Sequence, residues 1–338
     1  MKILIVKLSS LGDVVHTLPL VTDIQRYHEG ALIHWVVEDE FSDIPTIHKG
    51  ISKIIKVAFR RWRRTWFYAH TWRELWEFLR LLRSERYDLI IDAQGLVKSA
   101  LVASIAKGPT GGFGFYSSRE FVSSFLYQRR INVNKGIHAI DRLRTLGAKL
   151  LHYRFSSGAD FGLFCSDQVS TKSIMLLHGT TWASKFLPEE NWIRLSQLAE
   201  NDGFQVLIPS GNDSDFERAC RIASKGADLL PRLSLNALAK RIAGCAGIIT
   251  VDTGLGHLAQ ALGVPTVALF GPTDPNLTGI SGKYQLTLAS SNLPCIPCLK
   301  RDCKFSNDDC KLYPPCFAIT PEETWKTLQK QIDIKSQA

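Results

Sequence analysis

Apolar residues along this chain recur in short runs rich in branched side chains, and stretches with helical spacing lie between several of them. Runs that are uniformly apolar rather than alternating are what a parallel sheet covered on both faces requires. A first series gives candidate strands at Ile3 to Lys7, Leu32 to Val37, Lys53 to Val57 and Leu89 to Asp92. A second begins near Ser173 with Ile174 to His178 and continues with Gln205 to Ile208, Gly247 to Val251 and Thr266 to Phe270. Strands alternating with helices predict βαβ units, and hence two α/β halves. Tyr153 to Asp167, with Ser156-Ser157-Gly158 and little periodicity, is expected to link them.

Three helical expectations follow from local signals. Pro19 should break a long helix, leaving residues 13 to 18 as a short turn. Thr71-Trp72-Arg73-Glu74 has the form of a capping box ahead of Leu75, Leu79 and Leu82, which puts Arg60-Arg61-Trp62-Arg63-Arg64 in the loop before that helix. A last helix over Pro321 to Ile332 starts with Thr320 as N-cap and could pack on either half.

Composition narrows this picture without naming a function. A chain of 338 residues exceeds what one core usually serves, and 45% hydrophobic with 22% charged residues is ordinary for a folded protein. Met1 to Lys7 is apolar for only four residues before a lysine, and no later segment offers about 18 uninterrupted apolar residues. Any membrane contact should then be peripheral and the location cytoplasmic. Formal charge is +9, and residues 49 to 86 hold eleven Lys/Arg against Glu74, Glu77 and Glu85, a local excess of +8. Such a field suits nucleic acid, anionic lipid or a phosphorylated substrate, and charge alone does not choose.

Candidate chemistry sits at the strand ends, where open α/β sheets bind ligands. Lys7-Leu8-Ser9-Ser10-Leu11-Gly12-Asp13-Val14 ends the first strand, and its sole carboxylate, Asp13, is either a helix cap or a catalytic base. No G-x-G-x-x-G is present, which disfavours a dinucleotide. In the second half, Asp252-Thr253-Gly254-Leu255-Gly256-His257 reads as a tight turn opening a helix, where free N–H groups and the Thr253 hydroxyl would meet a phosphate, or as a purely structural turn. His257 would join them or serve only as a helix-side hydrogen bonder. His178-Gly179-Thr180-Thr181-Trp182-Ala183-Ser184-Lys185 offers Thr180, Thr181 and a cation, Lys185, suited to pyrophosphate unless it is an ordinary solvated lysine. Asp213 and Asp215 follow the next strand, placed for a ribose diol or for capping.

Five motifs in order carry a resemblance: Lys7 to Pro19, Arg60 to Arg64, Asp92-Ala93-Gln94-Gly95-Leu96-Val97-Lys98-Ser99, Asp252 to His257, and Gly271-Pro272-Thr273-Asp274-Pro275. Over essentially its full length the chain resembles glycosyltransferase family nine, the heptosyltransferases of lipopolysaccharide assembly, on the heptosyltransferase I branch. The resemblance implies a GT-B fold, two Rossmann-like domains facing each other across a cleft: residues 1–155 for the acceptor and 165–319 for the nucleotide sugar, with 320–338 allowed to return to the first. It implies transfer of L-glycero-D-manno-heptose from ADP-L-glycero-β-D-manno-heptose to the inner Kdo of Kdo2-lipid A, inverting the anomeric centre, with no metal and no cofactor.

In that scheme Asp13 is the base. Thr180, Thr181, Lys185, Asp215, Asp252, Thr253, Gly254, Leu255 and His257 hold the donor. Ser10, Gly12, Arg60, Arg61, Arg63, Arg64, Gln94, Lys98, Arg119 and His138 face the acceptor. Arginine's planar fork suits Kdo carboxylates and lipid A phosphates, and Trp62, Trp66 and Phe67 would lie at the interface or fold under a solvated loop. A monomer, peripheral on the cytoplasmic face of the inner membrane and binding no nucleic acid, is expected.

Cys295, Cys298, Cys303, Cys310 and Cys316 place five of eight cysteines within 22 residues. That run resembles heptosyltransferase II and other family-nine relatives, which stand as alternatives. Irregular spacing and the lack of a second short pair favour reduced thiols over zinc. Two rivals from other classes are a non-enzymatic nucleic-acid-binding protein and a nucleotide-sugar epimerase. The first leaves Asp13, Lys185 and the glycine turn without a joint purpose, and the second lacks a partner acid or base for Asp13.

Overall fold

A computed structural model describes residues 1–156, 158–163, 171–223, 226–290, 293–303 and 316–337. The chain divides into two compact units, 1–164 and 165–338. In the first, the order is β1 (Lys2–Val6), α1 (Leu11–Tyr27), β2 (Leu32–Glu38), α2 (Asp43–Thr46), β3 (Ile51–Val57), α3 (Phe59–Thr65), α4 (Ala69–Leu82), β4 (Leu89–Asp92), α5 (Val97–Ile105), β5 (Thr110–Phe113), β6 (Arg129–Ile131) and α6 (Ala139–Leu151). The second runs β7 (Thr171–Leu177), α7 (Glu189–Asn201), β8 (Gln205–Ile208), α8 (Asp213–Ala223), β9 (Asp228–Leu229), α9 (Leu235–Ala243), β10 (Cys245–Val251), α10 (Gly254–Ala261), β11 (Thr266–Phe270), α11 (Pro275–Thr278), β12 (Gln285–Ala289) and α12 (Pro321–Ser336).

Each unit is built on a six-stranded parallel sheet, ordered β3-β2-β1-β4-β5-β6 in one and β12-β11-β10-β7-β8-β9 in the other. The central strands are covered on both faces, as their unbroken apolar sequence demands: Ile3, Leu4, Ile5 and Val6 of β1 have no solvent exposure. Parallel strands all end on the same side, so the loops after β1, β3, β4 and β5 share one edge of the first sheet. Those after β7, β8, β10 and β11 share one edge of the second.

Several expectations fail here for identifiable reasons. Pro19 does not stop α1, which runs 17 residues through it. An interior proline costs about 3 kcal/mol, but Leu18, Leu20, Val21 and Ile24 are fully buried, and each buried aliphatic side chain contributes about 1.5–3 kcal/mol. Burial wins, and α6 adds a buried ion pair across the crossing, Arg144 to Asp23 at 2.7 and 3.0 Å. Thr71 is no cap either: α4 begins at Ala69, and the Thr71 hydroxyl donates to the Thr65 carbonyl at 2.7 Å. Arg60 to Arg64 lie on the helix α3 rather than in a loop, because Trp62 is buried against Phe59 and Phe78 and winds the segment around itself.

The last helix packs on the second unit, to which it belongs. Trp325 and Leu328 enter the core of Ile174, Leu176, Trp192 and Val206, and the Trp325 indole donates to Asp202 at 2.7 Å. Within the expected linker, Tyr153 stacks on Tyr27 with ring centroids 4.9 Å apart, while Ser157 and residues 164–170 lie outside the described residues. Among the described residues no helix is long and apolar enough to cross a membrane.

Candidate active site

The first centre forms where β1 hands over to α1. Asp13 sits in the first turn of α1, where Oδ2 accepts from the Ser10 N–H and hydroxyl, both at 3.3 Å. Capping and chemistry are therefore not exclusive, since Oδ1 faces elsewhere: Arg119 Nη2 lies at 2.7 Å and Lys7 Nζ at 3.5 Å. Burial works to raise the Asp13 carboxyl, but the charges of Lys7 and Arg119 outweigh it and hold the group well below the usual carboxylate range. Asp13 is thus ionised at neutral pH, the state a proton acceptor needs. Lys7 is itself buried, which pulls its ammonium down, and it donates to the Ala93 carbonyl at 3.1 Å.

Neighbouring loops set the rest of this edge. Asp92, fully buried at the end of β4, accepts from the N–H groups of Gln94 and Gly95 at 2.8 and 3.1 Å, from Ser99 at 2.8 Å and from the Tyr127 hydroxyl at 2.6 Å. That clamp turns the Gln94 amide back toward β1, where it accepts from the Leu8 N–H at 2.7 Å. Gly95 requires glycine, because its φ of +72° is left-handed. Gln94 and Gly12 are buried, and Lys98 is exposed. His138 caps α6 by accepting from the Ile140 N–H at 3.3 Å, and its ring lies 5.8 Å from that of His16, one turn after Asp13.

On α3, Arg60 pairs with Glu40 at 2.7 Å and Arg61 with Glu74 at 2.7 Å. Arg63 and Arg64 are exposed with no ion-pair partner among the described residues. Trp62 folds under this helix, its indole donating to Glu74 at 2.7 Å, whereas Trp66 and Phe67 stay exposed.

The second centre lies at the turn after β10. Asp252 is buried, with Lys185 Nζ at 2.6 Å and the Thr273 hydroxyl at 2.7 Å from Oδ2, and His257 Nε2 at 3.6 Å from Oδ1. Burial again works to raise this carboxyl, and the His257 hydrogen bond and Lys185 charge overcome it, so it too stays ionised. The ammonium of Lys185 also lies 4.6 Å from the Trp182 ring centroid. Thr253 precedes α10, whose first N–H groups, at Gly254 and Leu255, stand ahead of its own hydrogen-bond ladder. Gly256 lets that helix approach β10: a Cβ there would meet Thr250 Cγ2 at 2.8 Å.

Thr180 is half-buried and Thr181 exposed in the loop after β7. Asp215, whose carboxyl is raised by burial, accepts from Asn212 Nδ2 at 2.8 Å and lies beside Gly179, while Asp213 is exposed and pairs with Arg232. Lys7 and Thr273 completed their centres without being singled out. Both belong to motifs quoted above: Lys7 reaches Asp13 within its own motif, whereas Thr273 meets Asp252 across 21 residues. Among the described residues no group of three His, Cys, Asp or Glu side chains is arranged to hold a metal ion. Cys295, Cys298 and Cys303 are partly exposed, Cys316 is buried, and Cys310 lies outside the described residues.

A family model for glycosyltransferase family 9 (heptosyltransferase) matches residues 75–308. The chain belongs to glycosyltransferase family 9. It is 41% identical to lipopolysaccharide heptosyltransferase 1 of Pseudomonas aeruginosa over 349 aligned residues, covering 98% of each chain. An Escherichia coli heptosyltransferase solved with ADP superposes with a TM-score of 0.84 at 35% identity, covering 98% of this chain and 100% of that one. The same enzyme solved with ADP-2-deoxy-2-fluoro heptose gives 0.78 at 39% identity over 85% and 93%. Family 9 membership makes the chain a glycosyltransferase of GT-B type. The non-enzymatic nucleic-acid-binding reading falls with that assignment.

Proposed function

We propose that this family 9 enzyme transfers L-glycero-D-manno-heptose from ADP-L-glycero-β-D-manno-heptose to the inner Kdo of Kdo2-lipid A, inverting the anomeric centre without a metal ion or cofactor. The reading is supported within each unit separately: in the first by an ionised, partly accessible Asp13 at the sheet edge, and in the second by Lys185 anchored beside a helix start. Inversion needs a base on the acceptor hydroxyl and a stabilised diphosphate leaving group. Asp13 takes the proton. Lys185 and the N–H groups of Gly254 and Leu255 meet the diphosphate, with Thr180, Thr181, Thr253 and His257 around it and Asp215 at the ribose. Asp252 acts through Lys185, as a positioning residue.

On the acceptor side, Arg119 and the α3 arginines meet carboxylate and phosphate, with Ser10, Gly12, Gln94, Lys98 and His138 lining the approach. The exposed aromatic side chains around α3 and α4 rest at the surface of the inner membrane, on its cytoplasmic face, and the enzyme works as a monomer. Incubation with ADP-heptose and Kdo2-lipid A, against GDP-, UDP- and dTDP-sugar controls, tests donor and acceptor together. Product from ADP-heptose alone, undiminished by EDTA, is expected; a requirement for magnesium or manganese would overturn the metal-free step.

A further inference from the structure

The 3-10 turn Phe121–Leu126, between β5 and β6, inverts the usual distribution of polar and apolar side chains. Ser123 and Ser124 are buried, their hydroxyls donating at 2.7 Å to the carbonyls of Glu120 and Phe121, while Phe121, Val122 and Phe125 are exposed. Phe115 lies 5.1 Å from the Phe121 ring and 6.3 Å from the Phe125 ring, which makes the outward rings one patch. Tyr116 extends it at 77% exposure. Isolated apolar side chains on a surface need no explanation, but a contiguous aromatic patch with serines turned inward does.

Charge and position indicate what covers it. Besides Arg119, which is turned onto Asp13, residues 115–135 carry Arg129, Arg130 and Lys135 against Glu120 alone, all exposed, and the Arg130 guanidinium lies 5.9 Å from the Phe125 ring. Aromatic rings rimmed by long cationic side chains fit an anionic bilayer, with rings at the acyl boundary and cations at phosphate level. The patch follows β5, and the basic aromatic face of α3 and α4, with Trp66, Phe67, Trp72 and Trp76 exposed, follows β3. Asp13 follows β1, which lies between those two strands. Four strand spacings separate β3 from β5, about 19 Å.

We propose that Phe115, Tyr116, Phe121 and Phe125 form a second membrane-seating patch, which with the α3–α4 face holds the first unit on an anionic bilayer at two points flanking Asp13. The α3–α4 point rests on the reading given under Proposed function; the patch itself does not. Two anchors fix orientation where one leaves the unit free to swivel, and they hold the base level with a lipid-linked acceptor.

Co-sedimentation of the full chain with phosphatidylcholine vesicles, with and without phosphatidylglycerol, tests the patch. The F121S/F125S variant should partition onto the anionic vesicles about tenfold more weakly than the parent, and F121W/F125W should bind as the parent does. Turnover of vesicle-borne Kdo2-lipid A should fall with binding, while turnover of a water-soluble, deacylated Kdo acceptor stays unchanged. Equal partition of the serine variant would overturn the proposal. So would equal loss on the soluble acceptor, which would make the patch part of the acceptor site, or a self-associating parent whose dimer the serine variant dissolves. If the parent turned over neither acceptor, the substrates proposed above would be wrong, and the partition measurement would still decide the patch.

Discussion

Two aspartates at the carboxyl edges of two sheets are each paired with a lysine, yet their surroundings differ in one respect. Asp252 is enclosed: Lys185, Thr273 and His257 occupy its oxygens, and its side chain is 8% exposed. Asp13 has Lys7 beneath it and Arg119 above, and that arginine is 50% exposed. An enclosed carboxylate fixes the geometry of a neighbour. A carboxylate whose outer partner reaches solvent can exchange that partner for a substrate, because an exposed ion pair contributes only about 0–1 kcal/mol. On the proposed reading this difference separates a positioning aspartate, Asp252, from a reacting one, Asp13, although both are held ionised by the same kind of lysine.

The largest effect that tests this contrast is on rate. Asp13→Asn keeps the shape and the cap acceptor but cannot take a proton, so turnover should fall by about 10²–10⁴-fold. ADP affinity, measured by calorimetry, should stay within about twofold, since general-base work on the acceptor does not enter nucleotide binding. A variant retaining more than a few per cent of the parental rate would move the reacting role away from Asp13.

Asp252→Asn should act on stability first. It leaves Lys185, mostly buried, without its counter-ion, and breaking such a pair from one side costs about 3 kcal/mol. The sign with pH follows from the depressed carboxyl of Asp252. Its contribution is complete above the unfolded pKa, about 4, and is lost as pH falls toward the folded value. Calorimetric unfolding of Asp252→Asn should therefore show a lower Tm at neutral pH and a flatter decline in acid. ADP binding should weaken about tenfold or more, because a misplaced Lys185 loses a charge-assisted contact. Unchanged stability with lost turnover would place Asp252 among the reacting groups instead.

Legibility from the amino-acid sequence followed the same divide between local and distant contacts. The buried central strands declared themselves as apolar runs, but β5, with its two glycines, β6, beginning Arg129-Arg130, the two-residue β9, and β12 carry too little apolar periodicity to register. Pro19 misled because the burial that carries α1 through it comes from α6, which local sequence does not contain. Asp13, Lys185 and the turn from Asp252 to His257 were legible because each lies beside a strand end in a compact motif. Their partnerships were not. Lys185 meets Asp252 across 67 residues and Arg119 meets Asp13 across 106, separations that no spacing rule covers.

The smallest effect tests whether Arg119 is the exchangeable partner. Arg119→Ala removes one of the charges that hold the Asp13 carboxyl down, while burial, which works to raise it, remains. The carboxyl should rise, so the acid limb of the pH profile of kcat/KM should move to higher pH, by about one unit for each 1.36 kcal/mol of interaction removed. Arg119→Lys restores a charge but not the two-point fork, and should return part of the shift. If Arg119 instead locks Asp13 as Lys185 locks Asp252, its removal would unfold the first unit at lower temperature and leave the acid limb where it was. If it changes partner, the limb moves, the Tm shifts little, and KM for the anionic acceptor rises more than KM for the donor.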